Sequence, residues 1–469
     1  MTVRSSDGDA LDELLEERAS SGAYFLLINA TPWALIKSYS HSYQMKTWDC
    51  PQNISPGTST RIFMEGTGRP DDGAECRYTI NDLNPAAFEI RYHQKFGATP
   101  FIPGVHVVFM GLETLHNPDG TTLTLEWRRD NNMPFVLASS ELHPSNPSAQ
   151  IVSSNPPQDW MHATYSRISC LSLCELSMPG THDSGMSVFS GGSGLGLPIN
   201  TLTQELNIRE QLQFGARWFD IRPVIAGGNW KTGHYSFHDG TDAWHGGNGE
   251  EIRSIVDGIN DFTANNKELV ILKLSHGLNT DTFAGDKDNH LSQAEWARLL
   301  TFLEGINNRV INRGSTPDLS RLRVSDFISD NRAAVVIVVD DVVDSRGTRV
   351  QISAAAADKG FFQPGQLPLY DSYANTNNQD GMISDQLGKM ARQRPNPTAD
   401  MFLLSWTLTQ SGLSIIDNAK GANYALEEKL WPAMSPSSYP NVIDVDAYPR
   451  RGDVAALSMA INYHFARTC

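Results

Sequence analysis

The 469-residue chain carries 53 acidic against 37 basic side chains, a formal net charge of −16 at pH 7, and 40% hydrophobic residues. That composition fits a soluble globular protein and disfavours broad electrostatic attachment to nucleic acid or to an anionic bilayer. No apolar run approaches the roughly 20 residues that span a bilayer, and the length predicts two domains rather than one core.

Residues 1–21, MTVRSSDGDALDELLEERASS, are polar and acidic, where a secretory signal needs a basic start and an apolar stretch. The sequence therefore predicts a flexible N-terminal segment with no export signal, and a cytoplasmic location or export by another route. From residue 23 to about residue 140 the pattern is short, β-branched and aromatic, as in YFLLINAT, STRIFMEG, ECRYTIND and GVHVVFMG, with turns such as NPDG and RPDDG between. Seven or so strands at this spacing predict a β-sandwich domain over residues 22–142. It holds no catalytic constellation; a lipid surface, a glycan and the neighbouring domain are its candidate partners, beside a purely structural role.

Five cysteines, Cys50, Cys76, Cys170, Cys174 and Cys469, are too few and too scattered for a disulfide framework. Cys50 and Cys76 are candidates to pair within the first domain, and Cys170 with Cys174 reads as packing on a strand. Two glycosylation acceptor patterns, at Asn29 and Asn53, matter only for an exported chain. Proline and serine without periodicity, PSNPSAQIVSSNPP, mark a linker over residues 143–159.

Over residues 160–469 strand-like and helix-like segments alternate. Eight apolar strand candidates are LSLCELSM, ARWFDIR, NWKTGHYSF, LVILKLSH, AAVVIVVDD, QLPLYD, MFLLSWTL and NVIDVDA. Between them lie amphipathic helices, one with Ile252, Ile255, Val256, Ile259 and Phe262 on one face, another opened by a capping box at Ser292 and Glu295 before Trp296, Leu299, Leu300 and Leu303. This alternation predicts a (β/α)8 TIM-type barrel. A doubly wound open sheet is the alternative, but no G-x-G-x-x-G follows a strand.

In such a barrel the carboxyl ends of all strands meet at one mouth. Those ends carry His182 and Asp183, Asp220 and Arg222, His234, His276, Asp340 and Asp341, Asp371 and Tyr373, Trp406, and Asp446. Two histidines, a guanidinium and several carboxylates suit acid-base cleavage of a phosphodiester. One imidazole takes a proton from the attacking hydroxyl, the other protonates the departing alkoxide, and each transfer contributes typically 10²- to 10⁴-fold. Arg222 offers fixed charge and paired donors to the phosphoryl oxygens.

The run SMPGTHDSG, then QLQFGARWFDIR, GHYS and ELVILKLSH, resembles the X-domain of phosphatidylinositol-specific phospholipase C enzymes of the bacterial, metal-independent type, and the bacterial and fungal phospholipase C-like phosphodiesterases. The resemblance covers about residues 170–462. It implies His182 as general base, Asp183 as support for the second histidine, Asp220 and Arg222 as the FDIR pair, and Asp446 as the partner of His182. It further implies that Arg222 stands where calcium-dependent relatives place a metal-binding carboxylate, so that no metal or other cofactor is expected. Asp371 and Tyr373 match a D-x-Y pattern for substrate binding, to which His276 and Trp406 are added as candidate binding groups.

Departures from the family are equally informative. The second histidine is open among His234, His238 and His245, with strand length favouring His234. The fourth and fifth strands end in His276 and Asp340-Asp341 where inositol-cleaving members carry basic residues, which argues against phosphatidylinositol itself. The loop Asp286-Lys-Asp288-Asn-His290 lacks the glycine and glutamate of an EF-hand, and GGSGLGLP at 191–198 reads as a rim loop rather than a phosphate cradle.

The expected function is thus a phospholipase C-like phosphodiesterase acting on a phospholipid or lipid-linked head group through a cyclic phosphate, with peripheral membrane contact and no nucleic-acid partner. The rival readings are a Mg²⁺- or Ca²⁺-assisted phosphodiesterase of sphingomyelinase D or glycerophosphodiesterase type, and an inactive lipid- or glycan-binding protein.

Overall fold

The computed structural model describes residues 22–69, 71–81, 83, 86–94, 103–139, 151–282, 288–409 and 414–469. The expected N-terminal segment, residues 143–150 of the expected linker, and residues 286 and 287 of the acidic loop lie outside the described residues. Two compact units divide the chain: one runs to Pro156 and adds Tyr424–Pro432, the other comprises Pro157–Asn423 and Ala433–Cys469.

In the first unit Ala23–Ala30 lies between Asn132–Ala138, which it pairs in parallel, and Thr58–Gly66, which it pairs antiparallel, in a five-stranded sheet. A six-stranded sheet is built around Leu35–Tyr43, Gly73–Ile80, Ala87–His93 and Gly104–Met110. Alternation decides which face turns inward: in Gly73–Ile80 every second side chain, Ala74, Cys76, Tyr78 and Ile80, is buried. These meet Phe25, Leu27, Ile62 and Phe135 of the other sheet in one core, the arrangement of a sandwich. Cys50 and Cys76 sit in that core as unbonded thiols.

The second unit is organised by eight strands, named here β1 (Met178–Thr181), β2 (Trp218–Ile221), β3 (Leu269–Leu274), β4 (Ala334–Val339), β5 (Phe361–Phe362), β6 (Leu369–Tyr370), β7 (Met401–Trp406) and β8 (Val442–Val445). They form one sheet in the order β5-β4-β3-β2-β1-β8-β7-β6, with all the neighbours parallel. That is the circular order of a barrel opened between β5 and β6, its two shortest strands, consistent with a distorted TIM barrel. Buried on both faces, β4 reads AVVIVV without a polar residue.

Two expectations need correction. The segment NWKTGHYSF is no barrel strand: Gly227 and Gly228, both at positive φ, fold Asn229–His238 back on Pro223–Ala226 in an antiparallel hairpin. The hairpin belongs to a side sheet with Ala243–Glu251, Gly192–Ser193 and Leu278–Asn279, and the vacated barrel position is taken by β5, too short to read from periodicity. The first strand also starts later than LSLCELSM suggests, because Leu173–Glu175 forms a 3-10 turn closed by the Glu175 side chain on the Ser172 amide at 2.9 Å. The two amphipathic helices form as expected, as Ile252–Asn265 and Gln293–Leu303.

A third correction concerns cysteine. Cys170 is bonded to Cys469 across 299 residues, while Cys174 alone of the two is buried packing; spacing along the chain cannot reveal a partner brought in from the far terminus. The crosslink ties the C-terminal end of the unit to the segment leading into β1. Cys469→Ser is expected to lower unfolding free energy by about 2–4 kcal/mol, read as a fall in melting temperature that reductant reproduces in the wild type and leaves unchanged in the variant.

Candidate active site

Side chains that point into the barrel follow period two along each strand and its continuation. Trp218 and Asp220 on β2 and Arg222 just beyond it, Lys273 and Ser275 along β3 and its continuation, Leu403, Ser405 and Thr407 along β7 and its continuation, and Asp444 and Asp446 along β8 and its continuation all line one cavity of about 650 Å³. His182, His234, His276, Asp371 and Tyr373 line it as well. Trp406 does not. Lying between the inward Ser405 and Thr407, its ring faces away and is fully buried, with the indole N–H donating to the Ala422 carbonyl at 2.9 Å. Parity along the strand excludes it from the substrate-binding group.

At the centre His182 Nδ1 donates to Asp446 Oδ1 at 2.8 Å, and Arg222 Nη2 donates to His182 Nε2 at 2.7 Å. An arginine nitrogen has no lone pair to accept with, so this contact depicts the unprotonated imidazole with its hydrogen on Nδ1. Burial works against the charged imidazole, yet Asp446 outweighs it and lifts the histidine to about 9. A histidine so placed is a stronger base than a free one.

Arg222 binds both neighbouring carboxylates. Its Nε donates to Asp220 Oδ2 at 3.0 Å, and Nη1 lies 3.1 Å from Asp183 Oδ2. Asp220 also accepts from the Asp183 amide and from Ser275 Oγ, each at 3.1 Å. Burial would raise Asp220, but Arg222 wins and holds it well below the usual carboxylate range. For Asp183 the balance reverses: burial pushes it up to about 7 despite Arg222.

His234 stands 3.5 Å from Asp183 Oδ2 through Nδ1, which also donates to the Thr201 carbonyl at 3.2 Å. Burial and then the Arg222 charge press it down to about 4. The other two candidates for the second histidine are placed differently. His245 has Nδ1 accepting from the Leu195 amide at 2.7 Å and Nε2 against Thr241 Oγ1 at 2.6 Å, so both ring nitrogens are engaged. The His238 ring stacks edge-on against that of His245, 4.8 Å between centroids.

The wall beside β3 holds a group missing from the sequence reading. Lys273 pairs with Asp371 and, at 3.3 Å, with Asp340. Burial would lower it, but Asp371 keeps the ammonium raised above its ordinary value. It sat inside the apolar run VILKL; counting back by two from Ser275 would have found it. Asp340 also pairs with Arg349 and Asp341 caps the Gly277 amide at 2.6 Å; neither lines the cavity. Arg222 first, then burial, hold His276 down to about 3. Three non-glycine residues at strand ends adopt left-handed backbone, Asp183 (φ 46°), His276 (φ 54°) and Ala447 (φ 48°), a concentration of strain typical of functional rims.

Among the described residues, no group of three or more His, Cys, Asp or Glu is disposed as a metal-ligand set, and no helix is long and apolar enough to cross a membrane.

No family model and no curated protein matches the chain. Among solved structures, the chain is similar to a variant of the phosphatidylinositol-specific phospholipase C from Staphylococcus aureus, at 13% identity over 66% of this chain and 98% of that one, TM-score 0.45. The corresponding enzyme from Listeria monocytogenes matches at 14% identity over 65% of this chain and 98% of that one, TM-score 0.42.

Asp446→Asn removes the carboxylate that raises His182, so the imidazole of the variant is expected to titrate at lower pH than the wild type's value of about 9. Histidine resonances followed by NMR across pH check this; an unchanged His182 midpoint would mean that Asp446 does not set it.

Proposed function

We propose that the barrel cavity cleaves a phosphodiester without a metal, through His182 as general base and His234 as general acid. The observation that carries this reading is the cluster itself: His182 held between Asp446 and Arg222, with His234 and Arg222 both against Asp183. In the enzyme whose His182 is unprotonated, the form in which Nε2 accepts from Arg222, a hydroxyl of the substrate neighbouring the phosphate gives its proton to Nε2 as its oxygen bonds to phosphorus. The bond from phosphorus to the leaving oxygen breaks, and His234 delivers a proton to that oxygen. The products are a cyclic phosphate and a free alcohol. Arg222 donates to the phosphoryl oxygens while charge accumulates on them.

Burial and the Arg222 charge are what hold His234 down. A phosphodiester set beside Arg222 supplies opposite charge within a few ångström and favours the imidazolium, so substrate binding itself arms the acid. The sign is definite: anion binding raises His234.

A lipid-borne substrate is supported by the mouth. Leu195, Leu197 and Ile199, on the loop that carries Gly192–Ser193 and Pro198–Thr201, are all exposed, and Leu195 also lines the cavity. With a net charge of −16, attachment to a bilayer rests on these apolar side chains rather than on charge.

Phosphorus NMR of a phospholipid mixture in excess chelator is expected to show a cyclic phosphate with wild type and none with His182→Ala, a loss of at least ~10³-fold; product that requires Mg²⁺ or Ca²⁺ would replace this mechanism by the metal-assisted one. The double variant Leu197→Ser with Ile199→Ser is expected to bind phosphatidylcholine vesicles several-fold more weakly, independent of salt, while its turnover of a water-soluble phosphodiester is kept. Binding that instead falls steeply with salt would point to charged contacts.

A further inference from the structure

Beneath the catalytic groups, one level further into the barrel, Trp218 and Asp444 flank Gly180. Gly180 of β1 is in register with Trp218 of β2 on one side and Asp444 of β8 on the other. A Cβ placed on it would come within 2.6 Å of Val442 Cγ1, 3.1 Å of Asp444 Oδ1 and 3.3 Å of Trp218 Cδ1, the ring carbon bonded to the indole nitrogen. Glycine thus lets the three side chains close in on β1, with Asp444 and Trp218 on the cavity wall.

Trp218 and Asp444 line the cavity, yet they are 1% and 3% exposed. Neither Asp444 Oδ1 nor Trp218 Nε1 has a hydrogen-bond partner among the described residues. Buried polar atoms are nearly always paired, and here a donor and an acceptor are left open on the two sides of one glycine. The hydroxyl nearest in register does not fill the need, because Ser405 Oγ lies 2.9 Å from Thr407 Oγ1. The catalytic cycle above uses neither residue.

We infer that Gly180, Trp218 and Asp444 form a subsite for an uncharged hydroxyl of the substrate, deeper than the phosphate position and separate from Lys273, Asp371 and Tyr373. The hydroxyl oxygen accepts from the Trp218 indole and its hydrogen goes to Asp444. Burial supports this by pushing the Asp444 carboxyl up to about 8, so that at neutral pH it enters the pairing as an uncharged acid. A quaternary ammonium has neither donor nor acceptor to offer, so head groups with a free hydroxyl are selected over choline. This inference rests on the phosphodiesterase reading for its substrate, not for the subsite.

The test uses the full chain as wild type, Asp444→Asn, Asp444→Val and Trp218→Phe, with glycerol 1-phosphate and phosphocholine as probes. The Trp218 indole N–H resonance, assigned by its loss in Trp218→Phe, is expected to shift with glycerol 1-phosphate and not with phosphocholine. The preference for glycerol 1-phosphate should fall about tenfold in Asp444→Val and in Trp218→Phe, the equivalent of one neutral hydrogen bond, and be largely kept in the neutral isostere Asp444→Asn. If Asp444→Val does not fold, the other two variants decide. An indole that responds to both probes or to neither, or a preference untouched by every variant, overturns the inference and leaves the two unpaired atoms to an ordered water. Turnover of phosphatidylglycerol vesicles, whose head group carries the neighbouring hydroxyl the mechanism needs, separates the two ideas: cleavage with KM unchanged in Asp444→Val and Trp218→Phe sinks the subsite but not the mechanism, and an indole shift without cleavage does the reverse.

Discussion

One buried guanidinium holds the site together. Arg222 contacts Asp220, Asp183 and His182 at 2.7–3.1 Å, and a charge taken out of water in this way persists only if its partners answer it. The partners depend on it in turn. Asp220 is ionised because of Arg222, and His234 and His276 are neutral in large part because of it. The two histidines are thereby set apart in one cavity: His182, next to Asp446, is pushed up, and His234, which has no carboxylate as near, is pushed down. Two chemically identical side chains acquire opposite tendencies from their neighbours alone.

The scaffold supplies that asymmetry through two kinds of element. The proposed base, the arginine and the carboxylates around them come from consecutive parallel strands β8, β1 and β2, whose ladders fix their relative heights. The proposed acid comes from a side-sheet hairpin, turned by Gly227 and Gly228, that places His234 over the mouth. The same side sheet pairs Gly192–Ser193 with Ala243–Glu251, so the loop with the exposed leucines is anchored beside the histidine. The proposed chemistry and the proposed contact surface share one support.

Below these groups the barrel is not a uniform apolar core. The Asp444 carboxyl and the Trp218 indole N–H on either side of Gly180, each with an atom unpaired among the described residues, make a polar layer under the charged one. A barrel interior filled only with branched side chains would be more stable there; a polar layer in its place fits a cavity that receives a polar group.

Much of this was legible from order along the chain. The sandwich pattern, the alternating second half, and His182, Asp183, Asp220, Arg222 and Asp446 follow from apolar runs that stop at titratable residues, because a strand must leave the sheet where water or a ligand can reach it. Period two would also have exposed Lys273, Trp218 and Asp444 and rejected Trp406, since side chains on one strand cannot change face without a bulge. Other features belonged to tertiary structure. Which histidine faces Asp183 depended on a hairpin that periodicity mistakes for a barrel strand, the partner of Cys170 lay 299 residues away, and every ionisation tendency in the cavity arose from burial and from charges contributed by other strands. Sequence determines what each strand can present; only closure of the sheet decides which of those groups come within reach of one another.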